Sequence, residues 1–147
     1  MAATKRTETI HIPCSPVDVL AVLTDFEAYP KWSGAFTEAR IIDRGPEGLG
    51  SHVAFAIDMT IRTVRYTLAY SFNLPDGFSW RMTEGDLTSI EGSYELVAED
   101  GGTNCICHQA VETGFWIPGP IRRIAEGSAL RNSLEELSTE VQRRAAE

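Results

Sequence analysis

Apolar and polar side chains alternate along most of the middle of the chain, which is the pattern of strands buried on one face. The alternation is clearest over residues 62–72, where one face carries Val64, Tyr66, Leu68, Tyr70 and Phe72. A first strand is predicted at 7–12, and further strands at 37–43, 51–59, 62–72, 78–82, 90–96 and 103–113. Because short Gly-, Asp- and Pro-rich turns separate the last six, they are predicted to form an antiparallel meander.

Two short helices are predicted between the first strand and the meander. Ser15 is a suitable N-cap, Pro16 suits the first helical position, and Asp18 can complete a capping box. Asp25 is predicted to cap the second helix, and Pro30 is predicted to end it. Gly92, inside the strand at 90–96, permits a bend or bulge there. The apolar side of the first helix is predicted to consist of Val17, Leu20 and Leu23.

A long helix is predicted from Ile121 almost to Glu147, about 40 Å in length. Its second half carries one apolar stripe at a spacing of four, three and four residues. Ile121 and Ile124 lie more than about 90° around the helix from that stripe, and Gly127 separates the two halves. Either this is a slightly bent core helix, or its first half faces a cavity. The stripe consists of Leu130, Leu134, Leu137 and Val141.

This order of elements predicts an α+β fold in one domain, residues 1–147. An antiparallel sheet of about seven strands curls, and the long C-terminal helix covers its concave face. One helix does not easily fill the interior of a deeply curled sheet, so a ligand cavity between them is expected.

Composition and charge narrow the classes of partner. The chain has a net charge of −8, and residues 76–112 hold eight acidic residues against one basic residue, Arg81. This acidity argues against nucleic acid, and the lack of a polybasic cluster argues against stable membrane association. With no apolar run long enough to span a bilayer and no signal-peptide pattern, a cytoplasmic protein is expected. A monomer or weak homodimer is expected.

The three cysteines are predicted to be free thiols, because their number is odd and no export signal is visible. Cys105 and Cys107 are two residues apart in a predicted strand, which is awkward for a disulfide. No histidine lies at a ligand spacing from either cysteine, so neither a metal site nor a cofactor is predicted. The cysteines are interpreted as small buried hydrophobic residues.

The sequence resembles the START-like (SRPBCC) superfamily, and in particular its bacterial polyketide cyclase/dehydrase and lipid-transport branch, which is similar to coenzyme Q-binding proteins. The resemblance rests on the order and spacing of many short motifs over nearly the whole chain. It implies the helix-grip fold, with a deep, mostly apolar cavity for a lipid, sterol, quinone or polyketide-like molecule. The matching segments are residues 10–13, 15–16, 19, 23–32, 70, 79–80, 91–96, 101–103 and 117–123.

The predicted ligand-contacting residues combine the inward strand positions with this resemblance, which contributes Trp32 and places the Cys105 face inward. Cys107 and Gln109 depart from the branch pattern, which has an aromatic and an apolar residue there. Gln109 then either orients a ligand or is bonded to a neighbour. Any one of these residues can equally be plain core. The predicted set is Trp32, Phe55, Ile57, Tyr66, Leu68, Tyr70, Trp80, Met82, Tyr94, Gln109, Val111, Ile121 and Ile124.

Catalysis has little support in the sequence, and no catalytic residue is assigned. His52 and His108 alternate with inward residues and are predicted to face solvent, His11 is unplaced, and Glu84 continues the Phe78–Met82 face at a strand end where solvation is expected. A non-catalytic binder of a hydrophobic molecule is favoured. The alternatives are a polyketide aromatase/cyclase or dehydrase that uses cavity tyrosines, and a ligand-free interaction module.

One apolar segment, Phe115, Trp116 and Ile117, precedes the Pro-Gly-Pro turn before the long helix. Exposed, these residues would make an apolar lip at the cavity mouth. Buried, they would anchor the start of the helix, and this second arrangement is the expected one.

Overall fold

The computed structural model describes residues 4–59, 62–116 and 119–147, and within these it leaves the side chains of Thr4 and residues 119–128 undescribed. Within these ranges, seven strands and three α-helices follow one another, with a single 3-10 turn at Phe26–Ala28. The elements are β1 (Thr4–Ile12), α1 (Pro16–Leu23), α2 (Tyr29–Trp32), β2 (Phe36–Arg44), β3 (Gly50–Asp58), β4 (Thr63–Asn73), β5 (Gly77–Gly85), β6 (Ser89–Glu99), β7 (Gly102–Glu112) and α3 (Gly119–Ala145).

All seven strands form one curled antiparallel sheet in the order β1-β7-β6-β5-β4-β3-β2. The predicted six-strand meander is confirmed, and β1 closes its free side by pairing with β7, Ile12 opposite Thr103. The helices α1 and α2 carry the chain from one edge of the sheet to the other. Because cross-strand partners point to the same face, this register fixes which side chains share the interior.

The start of α1 is as predicted, but its apolar side is not. Ser15 Oγ accepts a hydrogen bond from the Asp18 backbone N–H at 3.3 Å, and Pro16 lies in the first turn. Val17 is 71% exposed, so its assignment to the core was wrong. The helix turns about 100° per residue, which points Val17 away from the buried face. That face consists of Val19, Val22 and Leu23, with Leu20 at its edge.

The predictions for the second short helix were wrong at both ends. Asp25 makes no side-chain capping bond, and its carboxylate instead pairs with Arg144 at 3.1 Å. Pro30 lies in the first turn of α2, where a missing backbone N–H costs nothing, and the helix ends at Trp32.

The long helix is confirmed and begins two residues earlier than predicted, at Gly119. It packs against β1, α1 and α2. Leu134, Leu137 and Val141 are almost completely buried, as the stripe predicts, and Leu130 lies at its margin. The side chains of Ile121 and Ile124 and the junction at Gly127 lie outside the described part. Within the described residues, no helix is long and apolar enough to cross a bilayer.

The sheet places its irregularities where the sequence did not predict them. The ladder is regular through Gly92, so no bulge occurs there. The register instead shifts between β4 and β5, beside Thr67 and Leu68. As a result Glu84 pairs with Thr67, on the face opposite to Met82, and is exposed. Its predicted solvation is confirmed, but it does not continue the inner face.

Candidate functional site

The inner face of the sheet is apolar and aromatic. Among the described residues, the inward positions of β3 to β7 carry no Asp, Glu, Lys, Arg or His. This face belongs to one core cluster, whose buried members include Phe55, Tyr66, Leu68, Phe78 and Trp80. A surface of this composition suits a hydrophobic ligand and does not compensate a buried charge.

Eleven of the thirteen predicted site residues lie together. Phe55, Tyr66, Leu68 and Trp80 are buried in the cluster, and a further group is only partly buried against it. Gln109 is half-buried opposite Gly92 on the same face. Ile121 and Ile124 lie outside the described side chains. The partly buried group consists of Trp32, Ile57, Tyr70, Met82, Tyr94 and Val111.

The aromatic rings of this face form a connected wall. Tyr70 contacts Phe26 with ring centroids 4.5 Å apart and Trp80 at 6.2 Å, and Trp80 contacts Tyr94 at 5.3 Å. Phe78 contacts Tyr94 at 5.5 Å. Tilted pairs at these distances are favourable beyond their buried area. The wall holds its tyrosine rings in fixed positions.

Sequence reasoning omitted several members of this wall from the site. Phe72 and Phe78 share the period-two alternation with Tyr70 and Trp80, so that pattern was sufficient to include them. Tyr29, in the single turn of α2, has no periodicity that points inward. Only its place in the segment with Phe26 and Trp32 was a signal, and the structure joins Tyr29 to Trp32 with ring centroids 5.2 Å apart.

All four tyrosines of the chain place their hydroxyls inside, and one of these hydroxyls makes a hydrogen bond within the described part of the protein. Tyr29 Oη donates to the Leu23 carbonyl at 2.5 Å, and Tyr94 lies opposite Cys107 in the neighbouring strand. Burial raises the pKa of all four phenols. At neutral pH they are therefore uncharged hydrogen-bond donors.

The hydroxyls of Tyr66 and Tyr70 are not engaged by the described part of the protein. Neither hydroxyl has a hydrogen-bond partner among the described residues. The fully buried polar side-chain atoms that lack a partner there are Trp32 Nε1 and Ser33 Oγ, so neither tyrosine hydroxyl is fully buried. Each of these two hydroxyls therefore retains some accessible surface.

The cysteines are free thiols, as predicted, and two of them are buried beside the aromatic rings in the same core cluster. Cys105 and Cys107 are buried, and burial raises the pKa of each thiol to about 12. Thiols with such pKa values are poor nucleophiles at neutral pH. No group of His, Cys, Asp and Glu side chains in the described ranges is arranged to hold a metal ion.

The histidines lie away from the wall. His108 is on the outer face, with Nδ1 2.9 Å from Thr7 Oγ1 and Nε2 3.5 Å from Glu95. His11 pairs with Glu99, and both side chains are largely exposed. His52 also lies on the outer side, next to Ser51. The predicted outward orientation of His52 and His108 is confirmed, so neither provides a general base for the interior.

The segment before α3 is divided between the two predicted arrangements. Phe115 packs against the core, with the Arg62 guanidinium 4.7 Å above the centre of its ring. Trp116 is 77% exposed, so the expectation that it would be buried was wrong. Ile117 lies outside the described residues.

Two open grooves lie mainly on the outer face of the sheet, and Trp80 borders one while Phe55 and Tyr66 border the other. One, of about 580 Å³, includes Ser71, Ser79 and Ser93 in its lining. The other, of about 800 Å³, includes Glu84 and the Glu38–Arg65 ion pair. Small polar and charged linings of this kind do not suit a hydrophobic ligand.

Comparison with known proteins agrees with this architecture. The family model described as polyketide cyclase / dehydrase and lipid transport matches residues 3–146. A START superfamily protein from Mycobacterium smegmatis superposes with a TM-score of 0.83 at 20% identity, covering 95% of this chain and 97% of its own. The ZhuI aromatase/cyclase from Streptomyces sp. R1128 superposes with a TM-score of 0.78 at 16% identity, covering 97% and 96%.

A STAR-related lipid transfer protein from Xanthomonas axonopodis superposes with a TM-score of 0.72 at 13% identity, covering 94% of this chain and 85% of its own. A search of curated protein sequences finds no significant match. The family model spans nearly the whole sequence, and the curled sheet with its long C-terminal helix is shared with the solved structures. The chain therefore belongs to the polyketide cyclase / dehydrase and lipid transport family.

Proposed function

We propose that this protein binds a hydrophobic small molecule between the inner face of its sheet and α3. The observation that carries this proposal is the pair of Tyr66 and Tyr70 hydroxyls, which have no hydrogen-bond partner among the described residues and retain accessible surface within an otherwise apolar wall. A concave apolar site with a few polar groups is the usual form of a small-molecule site. The printed descriptions of the family and of the Xanthomonas protein, which name lipid transport and lipid transfer, support the same function.

Native mass spectrometry of protein purified from its own host tests this proposal, followed by denaturing extraction of any bound compound. A lipid, quinone or polyketide-like molecule released at about one per chain is the expected result. Empty protein that also takes up no fluorescent hydrophobic probe would refute binding.

A matched pair of variants assigns the binding to the interior. Met82 and Arg81 are neighbours in β5 on opposite faces, and Met82 packs partly against the core whereas Arg81 is exposed. Met82→Trp adds bulk to the inner face, so we expect it to lower occupancy at least about tenfold, a change of roughly 1.4 kcal/mol. Arg81→Trp leaves the interior unchanged and is expected to retain the ligand. Equal loss in both variants, with thermal stability preserved, would place the ligand elsewhere.

A second candidate function is cyclisation or dehydration of a polyketide-like chain, as the family description and the ZhuI aromatase/cyclase suggest. The specific observation in its favour is the pair of unengaged phenols, because neutral O–H donors stabilise a developing enolate oxygen. The described inner face of β3–β7 offers no charged base, which favours binding over turnover. Incubation with a linear poly-β-ketone mimic separates the two functions: release of a cyclised product faster than in buffer indicates catalysis, and unchanged bound mimic indicates carriage.

A further inference from the structure

We propose that Trp32, Ser33 and Gly34, at the end of α2, form a lid that opens into solvent and admits a hydrophobic molecule to the inner face of the sheet. Glu136, on α3, is the latch that holds this lid closed. Because α2 packs against both β2 and α3, the passage lies between the β2 edge of the sheet and the long helix. This proposal rests on the proposed function and adds a route for the ligand.

Unmade hydrogen bonds are concentrated in the lid. Trp32 Nε1 and Ser33 Oγ are the fully buried side-chain polar atoms that lack a partner in the described part of the chain, and they belong to consecutive residues. No water-sized space touches either atom. A sealed polar atom without a partner raises the free energy of the arrangement that seals it. Displacement of the lid allows water to bond both atoms, so the two unmade bonds favour opening.

The start of α2 is held more firmly than its end. Tyr29 is buried, and its ring stacks on Phe55 with centroids 5.8 Å apart. Trp32 is only half-buried, and its ring contact in the described part of the protein is with Tyr29. The Ser33 N–H donates to the Tyr29 carbonyl at 2.8 Å, which closes the single turn of the helix. Tyr29 therefore provides a fixed hinge, and the residues of the lid can move about it.

One carboxylate of α3 holds the lid in its closed position. The Gly34 backbone N–H donates to Glu136 Oε2 at 3.0 Å. Gly34 is exposed and Glu136 is half-buried, so water can compete for this bond. On the other side of the lid, the Ala35 carbonyl accepts from the Asp58 N–H at 3.0 Å and fixes the chain at the start of β2. The latch is charge-assisted but exposed, which allows it to hold the lid and still to break.

Opening of the lid uncovers part of the hydrophobic core. Trp32 packs against the core cluster, to which Tyr29 and Phe55 belong. Phe55 in turn contacts Tyr66 with ring centroids 5.8 Å apart. Displacement of the Trp32 side chain therefore exposes apolar rings that continue along the inner face of the sheet. Lids of this kind belong to the least stable parts of a protein, and they open without global unfolding.

Hydrogen exchange measured by NMR at increasing urea concentrations tests the lid without any ligand. We expect the Trp32 indole N–H to exchange through a local opening that urea barely affects. The Cys107 amide, in the regular ladder between β1 and β6, is expected to follow global unfolding and to respond steeply to urea. If the Trp32 indole responds to urea as steeply as the Cys107 amide, there is no lid.

Two variants are expected to change the opening in opposite directions. Ser33→Ala removes one unmade bond from the closed lid, so exchange at the Trp32 indole should slow about fivefold. Glu136→Ala removes the latch, and the same exchange should accelerate about fivefold. Glu135→Ala, at an exposed position on the same helix, is the control, with an expected change of less than about twofold. Equal rates in Glu136→Ala and Glu135→Ala would refute the latch.

Stopped-flow fluorescence with N-phenyl-1-naphthylamine, a neutral hydrophobic probe, tests whether the lid is the passage. A lid controls entry and exit alike, so Glu136→Ala should raise both probe rates about fivefold and Ser33→Ala should lower both, with the probe Kd changed less than about twofold. Unchanged probe rates in variants whose indole exchange has shifted would overturn the lid as the route. Wild-type protein that takes up no probe counts against the proposed function, and hydrogen exchange still decides whether the lid opens.

Discussion

Two buried hydroxyls, those of Ser33 and Thr103, show how much single polar atoms matter in this protein. Thr103 is completely buried, and its Oγ1 donates to the Cys14 carbonyl at 2.7 Å. Ser33 is 2% exposed, and its Oγ has no partner among the described residues. A buried hydroxyl stabilises the folded state only if it is hydrogen-bonded.

Ser33→Ala is expected to increase the free energy of unfolding by about 1 kcal/mol, because it removes an unsatisfied polar atom. Thr103→Val is expected to decrease it by about 1–2 kcal/mol, because it leaves the Cys14 carbonyl without its donor. Urea unfolding measures both. A destabilised Ser33→Ala protein would show that the Ser33 hydroxyl does have a partner.

Gly92 is required by a close approach of side chain and backbone. A Cβ at this position would lie 2.3 Å from Trp80 Cζ2 and 2.7 Å from the His108 carbonyl oxygen. We expect Gly92→Ala to cost about 2–3 kcal/mol, since the ring and the backbone cannot both shift freely. Gly45→Ala, whose nearest neighbour would be 3.9 Å away, is the control, with an expected change within about 0.5 kcal/mol in the same unfolding assay. Equal effects of the two substitutions would contradict the packing argument.

At the scale of elements, the carboxylate of Glu140 is the centre of a group of hydrogen bonds and ion pairs at the C-terminal end of α3. Glu140 accepts hydrogen bonds from Arg143 at 2.7 and 2.8 Å and from Arg144 at 2.8 Å. Arg144 also pairs with Asp25, which precedes the 3-10 turn. These bonds, those from Arg143 first, lower the pKa of Glu140 to about 2. The cluster therefore ties the end of the helix to the connection between α1 and α2.

Glu140→Gln is expected to reduce the free energy of unfolding at pH 7 by about 1–2 kcal/mol. This is less than the full pKa shift implies, because Arg143 is 56% exposed. A lowered pKa stabilises the folded state above the ordinary value near 4.5, and this contribution is lost as the pH falls towards 2. Urea unfolding at pH 7, 5 and 3 should show the wild-type and variant curves converging. Glu135→Gln, at an exposed site on the same helix, is the control, and a difference independent of pH would contradict this account.

Period-two alternation and capping residues were sufficient to predict all seven strands, the start of α1 and the buried stripe of α3. These patterns failed to predict the features that depend on contacts between distant parts of the chain. The sequence pattern does not say whether Pro30 begins or ends a helix, because proline is tolerated in a first turn and excluded only further on. The register shift beside Thr67 depends on how two strands pair, and it turned Glu84 away from the inner face.

At the scale of the whole molecule, the site is a property of the assembled, curled sheet and not of any one strand. The sequence predicted that Tyr66 and Tyr70 share a face, since that follows from their spacing. It did not predict that the Tyr29 hydroxyl is bonded to the Leu23 carbonyl while those two are unengaged in the described part, because Leu23 reaches Tyr29 only through the folding of α1.

Alkaline titration tests the enclosure of the tyrosines together. Burial raises the pKa of all four phenols, so we expect little phenolate absorbance at 295 nm near pH 10, where free tyrosine ionises. The pKa values of these phenols are higher in the folded state than in the unfolded state. Their contribution to the free energy of unfolding is therefore fully present below about pH 10 and is lost as the pH rises further. Absorbance and circular dichroism should therefore change in one alkaline transition. A separate phenolate step before unfolding would contradict the enclosure.

The pairing of β1 with β7 also has a consequence for the order of events during synthesis. A ribosome makes β1 first, yet its partner strand β7 is the last strand of the sheet to emerge. Until then the nascent chain holds an unpaired strand and an open apolar wall, and contacts between such distant segments form slowly. A hydrophobic molecule present at that stage needs no entrance, because the sheet closes around it. We therefore expect ligand supplied during translation to be incorporated more completely than ligand added to the finished protein.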